Sequence, residues 1–290
     1  MENSHIAAAP ASATSARRPL TWWLRLARAA LLIYVCVLAW LYFRQEYLLF
    51  PGKPLPPDYR FDVPADVQEV RLPVAGATLS ALHLRLPQPA GVVFFLHGND
   101  ENLATWFVNT DYYRKLNYDL FMIDYRGYGK STGRIASQAQ LLADVRAAWD
   151  YAAPLYAGKR RVIYGRSLGT GPAAILAAAV HPDLTVLVSP YCSVTQVARS
   201  EYPFVPGFLV RYPLSTCDAA GQMSTPLLLI HGERDTLIPP VHSEQIRARD
   251  PAADLQMIAG AGHEDIHDFP AYLDLLAARL RGLGMTPAGH

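Results

Sequence analysis

The 290-residue chain is 51% hydrophobic, enough apolar sequence for a full core in one large domain with an appendage, which excludes a disordered protein. Its 26 Lys and Arg against 25 Asp and Glu leave a formal net charge of +1, so no long-range field favours a nucleic-acid partner. Cys36, Cys192 and Cys217 form no CxxC pair and have no metal-ligand spacing with histidine, which argues against zinc.

Residues 1–19 are rich in Ala and Ser and read as a flexible tail ending in Arg17-Arg18-Pro19. Residues 20–50 are expected to form a hydrophobic helix. The run Ala29–Phe43 has no charge, and Trp22 and Trp23 before it and Trp40, Tyr42 and Tyr47 towards its end match interfacial aromatic belts. The run is shorter than the ~20 residues a spanning helix needs, but Arg25 and Arg28 can snorkel and extend it. The expectation is a single-pass signal-anchor. A cleaved signal peptide competes with it, since Val37-Leu38-Ala39 offers a small-residue site, and a buried helix of a soluble domain is the third reading. Arg17, Arg18, Arg25 and Arg28 precede the run and Arg44 and Lys53 follow it, which places the N-terminus in the cytoplasm and the remaining domain in a periplasmic or other exoplasmic space.

Pro51, Pro54, Pro56, Pro57 and Pro64 mark an extended connector over residues 51–65. A folded domain over 66–283 and a tail over 284–290 follow. Val67–Val74 and Thr78–Leu86 alternate like an antiparallel pair around Ala75-Gly76-Ala77. Beyond them, the short apolar runs 91–98, 118–125, 161–165, 184–189 and 226–232 suit strands buried on both faces. They alternate with helices predicted over Leu103–Lys115, Ser137–Tyr156, Leu168–Val180, His242–Arg249 and Asp265–Arg281, and Leu255–Ile258 reads as a last strand. The pattern is an α/β domain with a mainly parallel sheet and helices on both faces, whose active groups belong on loops at the carboxyl ends of strands.

Gly165-Arg166-Ser167-Leu168-Gly169 matches the G-x-S-x-G nucleophile elbow and stands between a predicted strand and a predicted helix, where such a turn exposes the serine hydroxyl. A serine needs a base and an orienting carboxylate downstream. Asp235, in HGERDTLIP, and His263, in GAGHEDI, follow strands in that order; Glu233 and Asp218 are less well placed acids. His231 ends a strand and is read as satisfying a local hydrogen bond, and His267 falls inside the predicted last helix. For an oxyanion, the N–H of Leu168 is one expected donor and that of Asn99, in His97-Gly98-Asn99-Asp100, the other, although Asn99 also suits a helix cap.

Together LHGND, DYRGYGKSTG, YGRSLGTGPA, HGERDTLIP and GAGHEDI resemble the α/β-hydrolase superfamily, and within it the small membrane-anchored serine hydrolases that include lysophospholipase-like enzymes and depalmitoylases. The resemblance spans about Asp66–Arg281. It implies that Ser167, Asp235 and His263 are nucleophile, acid and base, that His97, Gly98 and Asn99 form the oxyanion loop, and that no metal or cofactor takes part. The loop Asp124–Ser131 is read as structural, with Arg126 anchoring carbonyls or carboxylates and Ser131 not a second nucleophile. Asp100 and Glu101 depart from the small neutral residues of related anchored enzymes.

Residues 191–225 hold Tyr202, Phe204, Val205, Phe208, Leu209 and Tyr212, a small lid or simple packing against the sheet. Cys192 and Cys217 either pair in an oxidising compartment or stand as separate thiols. The activity expected is hydrolysis of an ester or thioester of a small-molecule or lipid acyl substrate through an acyl-serine. A serine amidase or peptidase is the alternative, and a non-catalytic membrane-tethered binding protein a third.

Overall fold

A computed structural model of the chain describes residues 19–285. The two expected tails fall outside the described residues, except that Pro19 opens the first helix and Gly284 and Met285 close the last. The chain divides into two units between Phe43 and Arg44.

Helix α1, Pro19–Leu49, begins in the first unit and ends in the second. Its stretch Trp22–Leu49, with a mean hydropathy of 2.0, is long and apolar enough to cross a membrane. Leu31, Leu32 and Ile33 expose most of their surface to solvent, an arrangement that costs free energy in water and none in lipid.

The second unit is built on an eight-stranded sheet in the order β1-β2-β4-β3-β5-β6-β7-β8. Strands β1, Val67–Val74, and β2, Ala77–Leu84, form the antiparallel hairpin, and β2 pairs antiparallel with β4, Tyr118–Ile123. The remaining strands run parallel: β3, Gly91–Leu96; β5, Arg160–Arg166; β6, Leu184–Val188; β7, Leu227–Gly232; and β8, Asp254–Ile258. Alternate residues of the apolar strands feed two cores. Phe94, Phe121, Ile163, Leu187 and Leu229 face one side with Trp149 and Ala173, while Phe95, Met122, Tyr164, Val186 and Ile230 face the other with Tyr113 and Leu276. Both faces being dry, the strands carry continuous apolar runs rather than alternation.

Helices α2, Leu103–Trp106, and α3, Thr110–Leu116, replace the single predicted helix Leu103–Lys115. The break comes at Asn109, whose φ of +55° is left-handed and cannot continue a helix. Helix α4, Gln138–Ala152, capped by Ser137, runs on into a tight turn at Ala153–Tyr156. Helices α5, Thr170–Val180; α6, Val194–Glu201; α7, Thr216–Ala220; α8, Val241–Arg249; and α9, Pro270–Met285, complete the layers. The last helix starts five residues later than predicted, because Pro270 sets the first helical position, so His267 stands in the preceding turn Ile266–Asp268 and not inside the helix.

The proline-rich connector is part of the second unit and is tied into it. Leu55 N–H donates to the Gly129 carbonyl and Gly129 N–H to that of Lys53, and the Phe50 and Tyr212 rings meet at 5.1 Å. Segment 191–225 is of two kinds: Tyr191, Tyr212, Leu214 and Cys217 are core, while Tyr202, Phe204 and Phe208 are exposed. Cys192 and Cys217 are joined in a disulfide, their Cα atoms 4.8 Å apart.

Candidate active site

Strand β5 delivers Ser167 at its carboxyl end, and the chain turns at once through Ser167–Gly169 into α5. Ser167 has φ +50°, a strained conformation for a residue with a Cβ, worth about 1–3 kcal/mol, that the surroundings must hold. Glycine is obligatory on both sides. A Cβ at Gly165 would come within 2.6 Å of the Ala173 Cβ, and one at Gly169 within 2.1 Å of the Leu96 carbonyl oxygen. The Thr170 hydroxyl donates to the Ser167 carbonyl at 2.6 Å and the buried Tyr191 hydroxyl to that of Leu168 at 3.0 Å, which locks the turn from behind.

The loop after β8 brings His263 to this serine, with Nε2 2.9 Å from the Ser167 Oγ, and the loop after β7 brings Asp235, whose Oδ2 lies 2.7 Å from the His263 Nδ1. The Nδ1 proton then points at the carboxylate and Nε2 faces the hydroxyl proton. Asp235 is 3% exposed and His263 9%, whereas Ser167 is half-buried and reachable. Burial alone would push the Asp235 carboxyl up; hydrogen bonds from His231 and His263 and from the Ile238 N–H outweigh it and hold the group well below the usual carboxylate range. His231 also meets its local partners: Nε2 donates to the Ile238 carbonyl at 2.7 Å, and Nδ1 accepts from Ser243 at 2.6 Å. Glu233 and Asp218 are exposed. Burial, helped by the charges of Arg166 and His263, pushes His267 down to about 3.

The loop after β3 lies over the serine, for a Cβ added at Gly98 would sit 3.6 Å from that of Ser167. Four successive carbonyls of this loop are each held by a side chain. Tyr125 Oη donates to His97 O at 2.9 Å, His97 Nδ1 to Gly98 O at 2.7 Å, Tyr128 Oη to Asn99 O at 2.8 Å and Trp106 Nε1 to Asp100 O at 2.7 Å. A trans peptide is planar, so pinning the Gly98 carbonyl also aims the Asn99 N–H the opposite way. The tyrosines of DYRGYG are therefore clamps on this loop. In the same motif Arg126 forms a buried two-point pair with Asp144, at 2.6 and 2.8 Å, and donates to the Ala75 carbonyl. Ser131 Oγ is buried between the Asp124 carbonyl and the Ser80 N–H.

Arg166 is the residue that sequence reasoning missed. It is 2% exposed, and its Nη2 donates to the His263 carbonyl, so the residue before Ser167 holds the loop that carries His263. Its Nε and Nη1 find no partner among the described residues. The signal was present: a charged residue closing a strand buried on both faces needs a carbonyl or carboxylate to satisfy it. Beside the elbow opens a cavity of about 420 Å³ whose lining includes Phe95, Trp106, Tyr113, Tyr272, Arg166 and Glu264. Asp100 and Glu101 also line it, and both pair with Lys53.

Residues 87–213 match the family model described as serine aminopeptidase, S33, a match that ends before Asp235 and His263. The chain is 31% identical over 212 residues to α/β-hydrolase domain-containing protein 17C of Xenopus tropicalis, covering 69% of this chain and 65% of that one. It is 31% identical over 200 residues to the human protein of that name, covering 66% and 58%. The chain thus spans less than two thirds of the length of these relatives. Among solved structures it is similar to an esterase of Pyrococcus furiosus, with a TM-score of 0.63, 20% identity and coverage of 81% of this chain and 97% of the other. Mouse α/β-hydrolase domain-containing protein 10 gives a TM-score of 0.56 at 19% identity over 74% and 98%. With the sheet order, the elbow and these relatives in agreement, the chain belongs to the α/β-hydrolase superfamily and resembles its abhydrolase-domain members.

Proposed function

We propose that the chain is a serine hydrolase that cleaves carboxylic esters or thioesters through an acyl-Ser167 intermediate. The observation that carries this reading is the unbroken run of hydrogen bonds from Ser167 through His263 to Asp235, ending at a strained and accessible hydroxyl. Ser167 Oγ attacks the acyl carbon as its proton passes to His263 Nε2. Asp235, held ionised, keeps the imidazole in the required tautomer and offsets the charge it gains. The oxyanion accepts from the N–H groups of Leu168 and Asn99, the second aimed by the pinned Gly98 peptide. His263 then protonates the departing alkoxide or thiolate, and a water molecule, deprotonated by the same imidazole, releases the acid. No step in this sequence calls for a metal or cofactor. The aromatic walls of the adjacent cavity suit a small-molecule or lipid acyl substrate. A fluorophosphonate probe labels the wild type and not Ser167→Ala, and ester turnover falls by about 10⁶-fold in that variant. Equal labelling of the two proteins refutes the assignment.

The matched family description favours a second reading, amide or peptide hydrolysis by the same groups. Matched ester and anilide substrates separate the two.

The apolar run Ala29–Phe43 of helix Trp22–Leu49 serves as a single membrane span with the catalytic unit on the exoplasmic side. The arginines ahead of the span support that orientation, and so does the Cys192–Cys217 disulfide, a bond that persists in oxidising compartments. Protease added to intact bacterial spheroplasts degrades the catalytic unit; full protection places it in the cytoplasm instead.

A further inference from the structure

The segment Tyr202–Val210, YPFVPGFLV, is nine residues without a charge, yet it lies at the surface. Phe208 is 86% exposed, Phe204 50% and Tyr202 47%, and the last two rings meet edge to face at 6.3 Å. It is not a loose loop. Val205 N–H donates to the Tyr202 carbonyl, Leu209 N–H to that of Pro206 and Val210 N–H to that of Gly207, so the aromatic side chains stand on a folded base. In water, the exposed Phe208 and Tyr202 of such an uncharged segment are unfavourable and call for a partner surface.

The chain itself says where that partner is. Gln45 Nε2 donates to the Leu209 carbonyl at 2.7 Å, Arg211 N–H donates to the Gln45 Oε1 at 2.8 Å, Tyr212 Oη donates to Glu46 at 2.8 Å, and Arg211 forms an ion pair with Glu46 at 2.5 Å. Segment 209–212 is thereby bound to residues 45 and 46. Gln45 follows Phe43, the last residue of the uncharged run, by two positions, and two residues of chain reach at most about 7 Å. Connectivity alone therefore keeps the base of this aromatic segment within a few ångströms of the point where the chain leaves the apolar run. Side chains that enter the head-group region sink by about 5–10 Å, and aromatic residues favour that depth.

We propose that Tyr202–Leu209 is a second contact with the lipid bilayer, in which Phe208, Phe204 and Tyr202 enter the head-group layer of the leaflet into which the apolar run Ala29–Phe43 opens. The proposal rests on that span being a membrane anchor. The contact makes the catalytic unit lie against the lipid surface at the 202–209 face rather than swing free on its tether. A bilayer is the occupant the observations favour over a protein, because the segment is uncharged and is tied beside the end of the apolar run.

The test uses the full chain in phosphatidylcholine vesicles, with Cys36→Ser to remove the exposed thiol and Phe208→Cys labelled with an environment-sensitive fluorophore. Leu155→Cys, also exposed, is the reference. Lipid brominated near the head-group end of its acyl chains is expected to quench the label at 208 by about two-fold or more and to leave the label at 155 unchanged, the depth being that of an interfacial side chain. Protein that floats with the vesicles but carries a water-like, unquenched label at 208 overturns this contact while leaving the anchor intact. Equal quenching at 208 and 155 overturns it as a specific face. Protein that does not float with the vesicles overturns the anchor and, with it, this proposal. Phe208→Asp, at a position this exposed, leaves turnover of a short water-soluble ester unchanged and weakens the quenching of a label at Phe204→Cys.

Discussion

Two buried clusters of this molecule are made of the same three kinds of group, a carboxylate, a histidine and a hydroxyl, and they behave in opposite ways. At the carboxyl ends of the parallel strands stand Asp235, His263 and Ser167; between β2 and β4 stand Asp119, Tyr156 and His83. In the second cluster Tyr156 donates to Asp119 and meets His83 Nε2 at 2.6 Å, and all three residues are at most 2% exposed. Burial dominates its carboxyl and its imidazole, pushing Asp119 up and His83 down to about 3. Asp235 is equally hidden, yet two histidines and the Ile238 N–H keep it charged. The first cluster also ends on a half-buried serine, whereas in the second the hydroxyl is buried and Asp119 is further held by the Leu86 N–H. Residue types alone do not set the character of such a cluster; the number of donors around the carboxylate and an open end set these two apart.

The sharpest way to break this comparison is to neutralise each carboxylate in turn. Asp235→Asn should lower kcat by about 10⁴-fold with the fold retained, since the imidazole loses its tautomer. Asp119→Asn should leave kcat of the folded protein unchanged and cost about 1–3 kcal/mol in denaturant unfolding, because an amide nitrogen cannot accept from Tyr156. Equal activity losses would show that the clusters are not distinct in role.

A smaller effect is expected at Arg166. Arg166→Met removes the donor that holds the His263 carbonyl, and misplacement of the base by about an ångström is worth roughly 10²-fold in kcat. The KM for a short ester should be little changed. An unaltered kcat would mean that the histidine loop holds its own shape.

The smallest effect is one of pH. The unfolded chain protonates His83 near its ordinary 6.5, but the folded chain resists until about 3, so between these values unfolded molecules bind more protons and stability falls as pH falls. Asp119, raised by burial, acts in the opposite sense above its ordinary 3.8. His83→Gln should flatten the decline in unfolding free energy from pH 6.5 downwards; an unchanged slope would place the acid sensitivity elsewhere.

Much of this molecule was legible in its sequence. The elbow could be read because glycine is demanded on either side of the serine by contacts that no Cβ survives, and such demands show as a spaced pattern. The mainly parallel sheet could be read because strands covered on both faces carry unbroken apolar runs, and the order Ser167, Asp235, His263 follows from where those strands end. Other features have no local trace. Arg166 meets a carbonyl 97 residues away, the four clamps on His97–Asp100 come from three separate segments, and Cys192 joins a partner 25 residues on. The stop at Asn109 and the late start of the last helix turned on a left-handed residue and a proline whose effects depend on what lies around them. The run Tyr202–Val210 read as apolar in either case; only the tertiary fold left Tyr212 in the core and Phe208 outside it, because burial is settled by which elements meet and not by the hydrophobicity of a stretch.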